Sequence, residues 1–286
     1  MTLIVWVLLT MLSVAVMLIA LAAYGTARWA GKTRGLLARL ESFRVPAPST
    51  TLRYNALEIE DLPAPVARYF RTVLKDGQRI ITAASVEHAG SFNLSATDEK
   101  WKPFTSAQRV ITRRPGFVWN AHIAMAPGIG VYIHDAYLNG EGILVPAILG
   151  LFTMKGNISA HDLAEAEFMR FFAEAAWYPT ALLPSQGVRW QAVDANSASA
   201  TLADGTISAT MLVNFNQAGL IESVRFEARA ATVGKMVVPT PWEGRWSDYQ
   251  QCNGMLVPQS GEAAWLHSEG RKPYWRGSIT ALRYEF

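Results

Sequence analysis

Residues 116–150 read GFVWNAHIAMAPGIGVYIHDAYLNGEGILVPAILG. Short runs rich in Val, Ile, Phe, Trp and Tyr are separated here by Gly, Pro, Asn and Asp, a pattern typical of β-strands joined by tight turns. Asn139-Gly140 is typical of a two-residue hairpin turn, because both central positions of that turn need a positive φ. The stretch therefore predicts strands over 116–125, 129–138 and 142–150.

The same pattern continues on both sides of this stretch. Further strands are predicted over 81–92, 106–113, 187–194, 198–203, 206–215, 219–231, 243–250, 255–258, 261–267 and 275–285. Strands that follow one another through short turns favour an antiparallel meander over a βαβ sheet. We expect an α+β, mainly β fold, in which residues 53–286 form a single domain built on a curved, half-barrel-like antiparallel sheet.

One or two helices are expected to cover this sheet. Pro63 and Pro65 suit the first turn of a helix, and an apolar stripe follows at helical spacing over 66–74. Asp162 is predicted to cap a second helix, which must end before Pro179.

The N-terminal segment has the length and composition of a membrane span. Residues 2–27 contain no charged side chain, and roughly 20 apolar residues suffice to cross a bilayer. A cleaved signal peptide is the alternative. No basic residue precedes the apolar run, however, and the run exceeds the usual core of about 7–15 residues in a signal peptide. We therefore predict a single-pass transmembrane anchor over 1–27.

The positive charge of the chain is concentrated just after this segment. The formal net charge is +3, but residues 1–46 carry five basic side chains and one acidic one, so that 21 basic and 22 acidic side chains remain for the other 240 residues. Residues 28–52 are thus expected to form a basic juxtamembrane stem and linker, whose partner is a membrane surface. By the positive-inside rule we expect the inner (cytoplasmic) membrane, with the body on the cytoplasmic side.

The stem allows two interpretations. It is either a flank that stops transfer, or an amphipathic stretch that lies on anionic lipid through Leu36, Leu37 and Leu40.

A body with slightly negative net charge argues against nucleic acid as a partner.

Known catalytic and metal-binding patterns are missing from the sequence. There is no G-x-S-x-G, Walker A, G-x-G-x-x-G or H-E-x-x-H motif, and a single cysteine, Cys252, excludes an intramolecular disulfide framework. His134-Asp135 and His161-Asp162 do not match a known ligand spacing. We expect no metal and no cofactor.

Polar side chains on the second helix are the best candidates for a binding site. Glu167, Arg170 and Glu174 share one stripe, and Trp177 continues it. They form either a solvated ion-pair ladder or the polar groups of an apolar ligand site. The candidate ligand-binding residues are Arg170, Glu174, Trp177, Trp119, His88 and Tyr137.

Several motifs together resemble a known family. They are His88-Ala-Gly-Ser-Phe92, Trp101-Lys-Pro-Phe104, Pro115-Gly-Phe-Val-Trp119, Asp135-Ala-Tyr-Leu-Asn-Gly140, Glu174-Ala-Ala-Trp177, Pro179-Thr-Ala-Leu-Leu-Pro184, Val193-Asp-Ala-Asn-Ser-Ala198 and Tyr274-Trp-Arg-Gly277. Over about 88–286 the chain resembles a family of bacterial membrane-anchored proteins catalogued as a domain of unknown function. The strand pattern is more distantly similar to lipoprotein-carrier-type half-barrels, whose curved sheet holds acyl chains. The family resemblance implies no activity.

The leading functional hypothesis is the binding of an apolar ligand, a lipid or an isoprenoid, between sheet and helix. One alternative is an enzyme that uses Glu174 with Arg170 or His88 as acid-base groups. Another is a membrane-tethered scaffold that uses a sheet edge. The oligomeric state stays open.

Overall fold

The computed structural model describes residues 3–45, 52–95, 98–154, 156–233 and 236–286. Three α-helices are present in these ranges: α1 (Leu3–Ser42), α2 (Ala64–Val73) and α3 (Ala160–Ala173). The strands are β1 (Ala83–Asn93), β2 (Trp101–Ile111), β3 (Gly116–Ala126), β4 (Ile129–Leu138), β5 (Glu141–Ile148), β6 (Phe152–Thr153), β7 (Arg189–Ala192), β8 (Ser197–Asp204), β9 (Ile207–Phe215), β10 (Ile221–Val233), β11 (Met236–Cys252), β12 (Met255–His267) and β13 (Gly270–Glu285).

All strands of the described chain belong to one antiparallel sheet. Its order is β6-β5-β4-β3-β2-β1-β13-β12-β11-β10-β9-β8-β7. Two meanders therefore meet at the centre, where β1 pairs with β13 from Ala83–Glu285 to Phe92–Trp275. The expected fold class, a mainly β protein with an N-terminal helix, an antiparallel sheet and covering helices, is confirmed.

The sheet curves around α3. The chain leaves one edge at β6 and enters the opposite edge at β7, and α3 with three short 3₁₀ helices makes this connection across the concave face. Strands β5 and β10, which lie far apart in the sheet order, both contact α3. A flat sheet would not bring both strands to one helix, so the sheet folds around α3 as a half-barrel.

The turns explain most of the strand boundaries. Asn139 and Gly140 have φ angles of 53° and 84°, as the predicted hairpin requires. The predicted strands 255–258 and 261–267 are one strand, β12, since Ser260 at the expected break pairs with Ser247 on one side and Ser278 on the other.

The start of α3 differs from the sequence prediction. The N-cap is Ser159, whose Oγ accepts a hydrogen bond from the backbone N–H of Asp162 at 3.1 Å. Asp162 is therefore a first-turn residue, where its carboxylate also accepts a hydrogen bond from the Ser159 hydroxyl at 2.7 Å. The prediction of Asp162 as the cap was wrong, because Ser159 satisfies the free N–H groups one turn earlier.

Helix α1 is continuous through the predicted anchor and most of the predicted stem. Among the described residues, α1 is the one helix that is long and apolar enough to cross a membrane. Its side chains from Leu3 to Ala20 are exposed. From Gly25 onwards it packs on the convex face of β2, β3 and β4. The predicted linker at 46–51 lies outside the described residues.

The leucines of the stem pack on protein. Leu40 is fully buried in a small cluster between α1 and the convex face, with Leu36 and Leu37 against it. These leucines therefore contact protein and not the anionic lipid that one interpretation of the sequence assigned to them. The main core lies on the concave side, around α2, α3 and the 3₁₀ segment at 174–186.

Candidate ligand-binding site

A cavity of about 310 Å³ lies on the concave face beside α3. Its wall is mostly apolar and unusually rich in tryptophan. The lining tryptophans come from five different elements and are Trp119, Trp177, Trp242, Trp246, Trp265 and Trp275. Phe92, Ile133, Leu144, Ile158 and Tyr274 complete the apolar wall.

The two faces of α3 determine where the cavity forms. Phe168, Phe171 and Phe172 are buried in the main core. Ala166, Glu167 and Arg170 occupy the other face and line the cavity. Because helix positions three and four apart share a face, the apolar stripe fixes α3 on the core and presents its polar stripe to the cavity.

Arg170 joins α3 to the sheet through Asp135 and also pairs with Glu174, in the 3₁₀ segment that follows α3. Its Nη1 lies 2.5 Å from Asp135 Oδ2 on β4, and its Nε lies 2.8 Å from Glu174 Oε1. Gln108 on β2 donates from Nε2 to the other Glu174 oxygen at 2.6 Å. Since Asp135 and Glu174 are both buried, the solvated-ladder interpretation of the sequence does not describe this cluster.

The Arg170 guanidinium is also enclosed by aromatic rings. Its Cζ lies 4.7 Å from the ring centroid of Trp119 and 5.0 Å from that of Phe117. Burial by itself lowers the pKa of this guanidinium, but the charges of Glu174 and Asp135 outweigh it and raise the pKa. Arg170 is therefore a permanent cation in the wall.

A second arginine, Arg229 on β10, faces α3 from the opposite wall. Its Nε donates to the Ala166 carbonyl at 3.1 Å, and its Nη2 lies 3.7 Å from Glu167 Oε1. Its guanidinium lies within 5.6 Å of the ring centroids of Trp242 and Trp265. Arg170 and Arg229 thus hold α3 between β4 and β10.

Glu167 holds its proton more tightly than an exposed glutamate does. Burial raises its pKa well above the usual value, and Asp135 raises it further through its charge and a shared hydrogen bond. Glu167 Oε2 and Asp135 Oδ1 have no other hydrogen-bond partner among the described residues. A proton on Glu167 would supply the hydrogen-bond donor that two charged carboxylates lack.

The structure brings four of the six candidate residues together at the cavity: Trp119, Arg170, Glu174 and Trp177. His88 lies behind Trp177, with ring centroids 4.7 Å apart, and its Nδ1 is 3.3 Å from Ser106 Oγ. Burial, helped by the charge of Arg170, lowers the pKa of His88 to about 3. It is a neutral core side chain and not part of the cavity wall.

Tyr137 lies away from the cavity, in the core beyond α3. Its hydroxyl donates to Asp204 Oδ2 at 2.7 Å, and its ring packs on Phe168 at a centroid distance of 5.2 Å. Its role in the structure is to join β4 to the end of β8.

Sequence reasoning missed Arg229 and assigned Asp135 only to an improbable metal pair. Their partners on α3 are 63 and 35 residues away in sequence, and no local pattern marks such contacts. Among the described residues, no three His, Cys, Asp or Glu side chains gather in a way that could hold a metal ion.

The comparison with family models identifies the family. A model for a family of unknown function, DUF6920, matches residues 60–284. The chain belongs to DUF6920. This confirms the family resemblance that the motifs carried, and the DUF6920 match extends it from residue 88 towards the N-terminus, so that it includes α2. No curated protein matches the sequence.

Two solved structures are distantly similar to this DUF6920 chain. One is a LolA superfamily protein from Nitrosomonas europaea, with 12% identity and a TM-score of 0.36 over 78% of this chain and 92% of the other. The other is a β-barrel-like protein of the domain of unknown function DUF1849 from Brucella abortus, with 10% identity and a TM-score of 0.21 over 72% and 99%.

Proposed function

We propose that this protein is anchored in a membrane by the N-terminal half of α1 and binds an apolar ligand, a lipid or an isoprenoid, in the cavity beside α3. The observation that carries the proposal is the cavity itself, which is walled by six tryptophans and has the ion-paired cluster of Arg170, Asp135 and Glu174 on one side. Small-molecule sites are concave, mostly apolar and carry a few fixed polar groups.

The charge balance of the wall favours an uncharged ligand portion inside the cavity. Each charged side chain that lines the cavity has an opposite charge beside it: Arg170 pairs with Asp135 and Glu174, Arg229 lies beside Glu167, and Glu262 pairs with Arg271 and Arg276. An additional buried charge would have no counter-ion there, and an unpaired buried charge is expensive. An acyl or isoprenyl chain meets no such cost.

The length of α1 supports the anchor. Leu3 to Tyr24 is 22 residues, which at 1.5 Å per residue gives about 33 Å, close to the bilayer core of about 30 Å. Arg28, Lys32 and Arg34 follow this segment. By the positive-inside rule we place the body on the cytoplasmic side of the inner membrane; a reporter fused to the C-terminus tests this placement.

Analysis of co-purified lipid tests the ligand. The full chain, extracted in mild detergent, is expected to carry a stoichiometric lipid or isoprenoid by mass spectrometry. Ala231 lines the cavity, so Ala231→Trp should fill it and abolish the bound lipid. Ala203→Trp, on an exposed strand position, is the matched control. A wild-type chain without lipid, or equal lipid in both variants, would refute the proposal.

Two observations favour binding over the enzyme alternative. Both Glu174 oxygens are engaged by protein donors, Oε1 by Arg170 and Oε2 by Gln108, an arrangement that fits a carboxylate that holds the wall together. His88 is not part of the cavity wall.

A further inference from the structure

Helix α1 reaches the body with no spacer after the proposed span. Gly25 follows Tyr24 directly and packs against the turn after β5. A Cβ atom on residue 25 would lie 2.1 Å from the Leu149 carbonyl oxygen. Thr26 Oγ1 is 3.3 Å from the Tyr132 hydroxyl. The end of the body at which α1 arrives is therefore held directly at the surface of whatever bilayer contains the preceding residues.

Strand directions show which turns lie at this end, which we call the anchor end. It contains the turns at 127–128, after β3, and at 149–151, after β5. Because neighbouring antiparallel strands reverse direction, the turn at 268–269 and the adjoining ends of β10 and β11, at Val233 and Met236, lie at the same end.

The anchor end exposes large apolar side chains at the tips of its turns. Phe152 is 62% exposed and Met236 is 67% exposed. Ile129, Met154 and Val233 are also exposed. Met154 and Val233 are close in sequence to Phe152 and Met236, and Ile129 follows the turn at 127–128. Large exposed apolar side chains grouped on one end of a protein mark an interaction surface.

The cavity extends towards the same end. Several of its lining residues lie close to the anchor end of their strands, such as Phe92 near the end of β1, Thr232 near the end of β10 and Trp265 near the end of β12, whereas Trp119 and Asp135 lie deeper in the sheet. On the opposite side the cavity is closed by α3 and Trp177, whose backbone carbonyl accepts a hydrogen bond from Tyr284 at the far end of β13.

We propose that the anchor end rests on the bilayer surface, with its apolar tips in the lipid headgroup region, and that the cavity exchanges its ligand directly with the membrane. This inference rests on the proposed function. The position where α1 leaves the body determines the partner: the bilayer that holds residues 3–24 is the surface that the tips at Phe152 and Met236 meet.

Spin labels in the reconstituted full chain test the orientation. On a Cys252→Ser background, Phe152→Cys and Met236→Cys each receive a nitroxide in vesicles of phosphatidylethanolamine and phosphatidylglycerol. Leu57→Cys is the control, since Leu57 is 66% exposed and belongs to the segment that packs near the opposite end. Labels at 152 and 236 should collide with oxygen and be protected from a water-soluble nickel chelate, whereas the label at 57 should show the reverse.

Equal chelate access at all three positions would overturn the orientation. Such a result leaves the proposed function intact if the chain still carries lipid by mass spectrometry. If the labels at 152 and 236 are protected from the chelate but the chain carries no lipid, the proposed function is refuted and the orientation stands. The two failures are therefore distinguishable.

A transfer assay tests direct exchange. The double variant Phe152→Asp with Met236→Asp should take up fluorescently labelled phosphatidylglycerol from its own vesicle about tenfold more slowly, because charged tips withdraw from the headgroup region. Its equilibrium lipid occupancy in detergent should equal that of the wild type, and Leu57→Asp should change neither quantity. Unchanged uptake by the double variant would refute exchange through this end.

Discussion

Arg170 on α3 and Asp135 on β4 form a buried ion pair, with Nη1 2.5 Å from Oδ2. The pair connects the helix that closes the cavity to one wall of the sheet, and Glu174 accepts from the same guanidinium at 2.8 Å. Both carboxylates are buried, and Arg170 is the cation that they share.

Arg170→Met should therefore destabilise the body by about 3–5 kcal/mol, because it leaves Asp135 and Glu174 buried without their cation. Denaturant unfolding of the full chain in micelles, followed by tryptophan fluorescence, measures this free energy. Arg283→Met is the control: its partner Glu87 is exposed, and a surface pair contributes about 0–1 kcal/mol. Equal losses in the two variants would contradict the buried-cluster description.

Glu167 should make stability fall as the pH rises. Its pKa is raised by burial and by Asp135 above the usual 4.5, so the folded state keeps a proton that the unfolded state releases. Its contribution is fully present below pH 4.5 and is lost as the pH rises towards the folded pKa. Glu167→Gln keeps the neutral form and should remove this slope.

The free energy of unfolding of wild type and Glu167→Gln, compared from about pH 5 to about pH 8, tests this coupling. The wild type should lose stability relative to the variant over that interval. Parallel curves would show that Glu167 is ionised in the folded protein.

The strands were predictable because their signals are local. Asn139-Gly140 has both residues at positive φ, and most runs between such turns became strands within two residues of the predicted bounds. Strands β2, β11 and β13 begin five to seven residues earlier than predicted. Spacing also predicted that Arg170 and Glu174 share a stripe of α3. The choice between a solvated ladder and a buried site depended on Asp135 and Arg229, which approach only through the curvature of the sheet.

Helix α1 shows the same limit. The stripe of Leu36, Leu37 and Leu40 indicated an apolar face, but a lipid surface and a protein surface demand the same pattern. The convex face that covers Leu40 includes Ile111 and Val118, residues whose outward orientation follows from the register of β2 and β3.

Trp29 should be the main contact that docks α1 on the sheet. It is 2% exposed, its Nε1 donates to Asn120 Oδ1 at 2.8 Å, and its ring stacks on His134 at 3.8 Å between centroids. Trp29→Ala should cost about 3–5 kcal/mol in the free energy of unfolding, the range for a large buried aromatic side chain.

Two further variants separate the parts of this contact. Trp29→Phe keeps a ring but leaves Asn120 without its donor, so it should cost about 1–3 kcal/mol. Trp6→Ala, in the exposed part of α1, should leave unfolding of the body unchanged. If Trp29→Ala also has no effect, α1 is not docked as described.

Acidification should weaken the same contact through His134. Burial, and then the charge of Lys32, lowers its pKa from 6.5 to about 4. Stacking on Trp29 favours a cation, but the loss of water outweighs it. The folded state thus binds fewer protons than the unfolded state, and the contribution of neutral His134 is present above pH 6.5 and is lost as the pH falls towards 4.

His134→Gln cannot titrate and should remove this dependence. The measurement is the difference in unfolding free energy between wild type and His134→Gln, taken from about pH 7 to about pH 4, which cancels the titration of the carboxylates common to both proteins. As the pH falls, the wild type should lose stability relative to His134→Gln. A difference independent of pH would mean that His134 keeps its ordinary pKa, and therefore that the Trp29 stack is open to water.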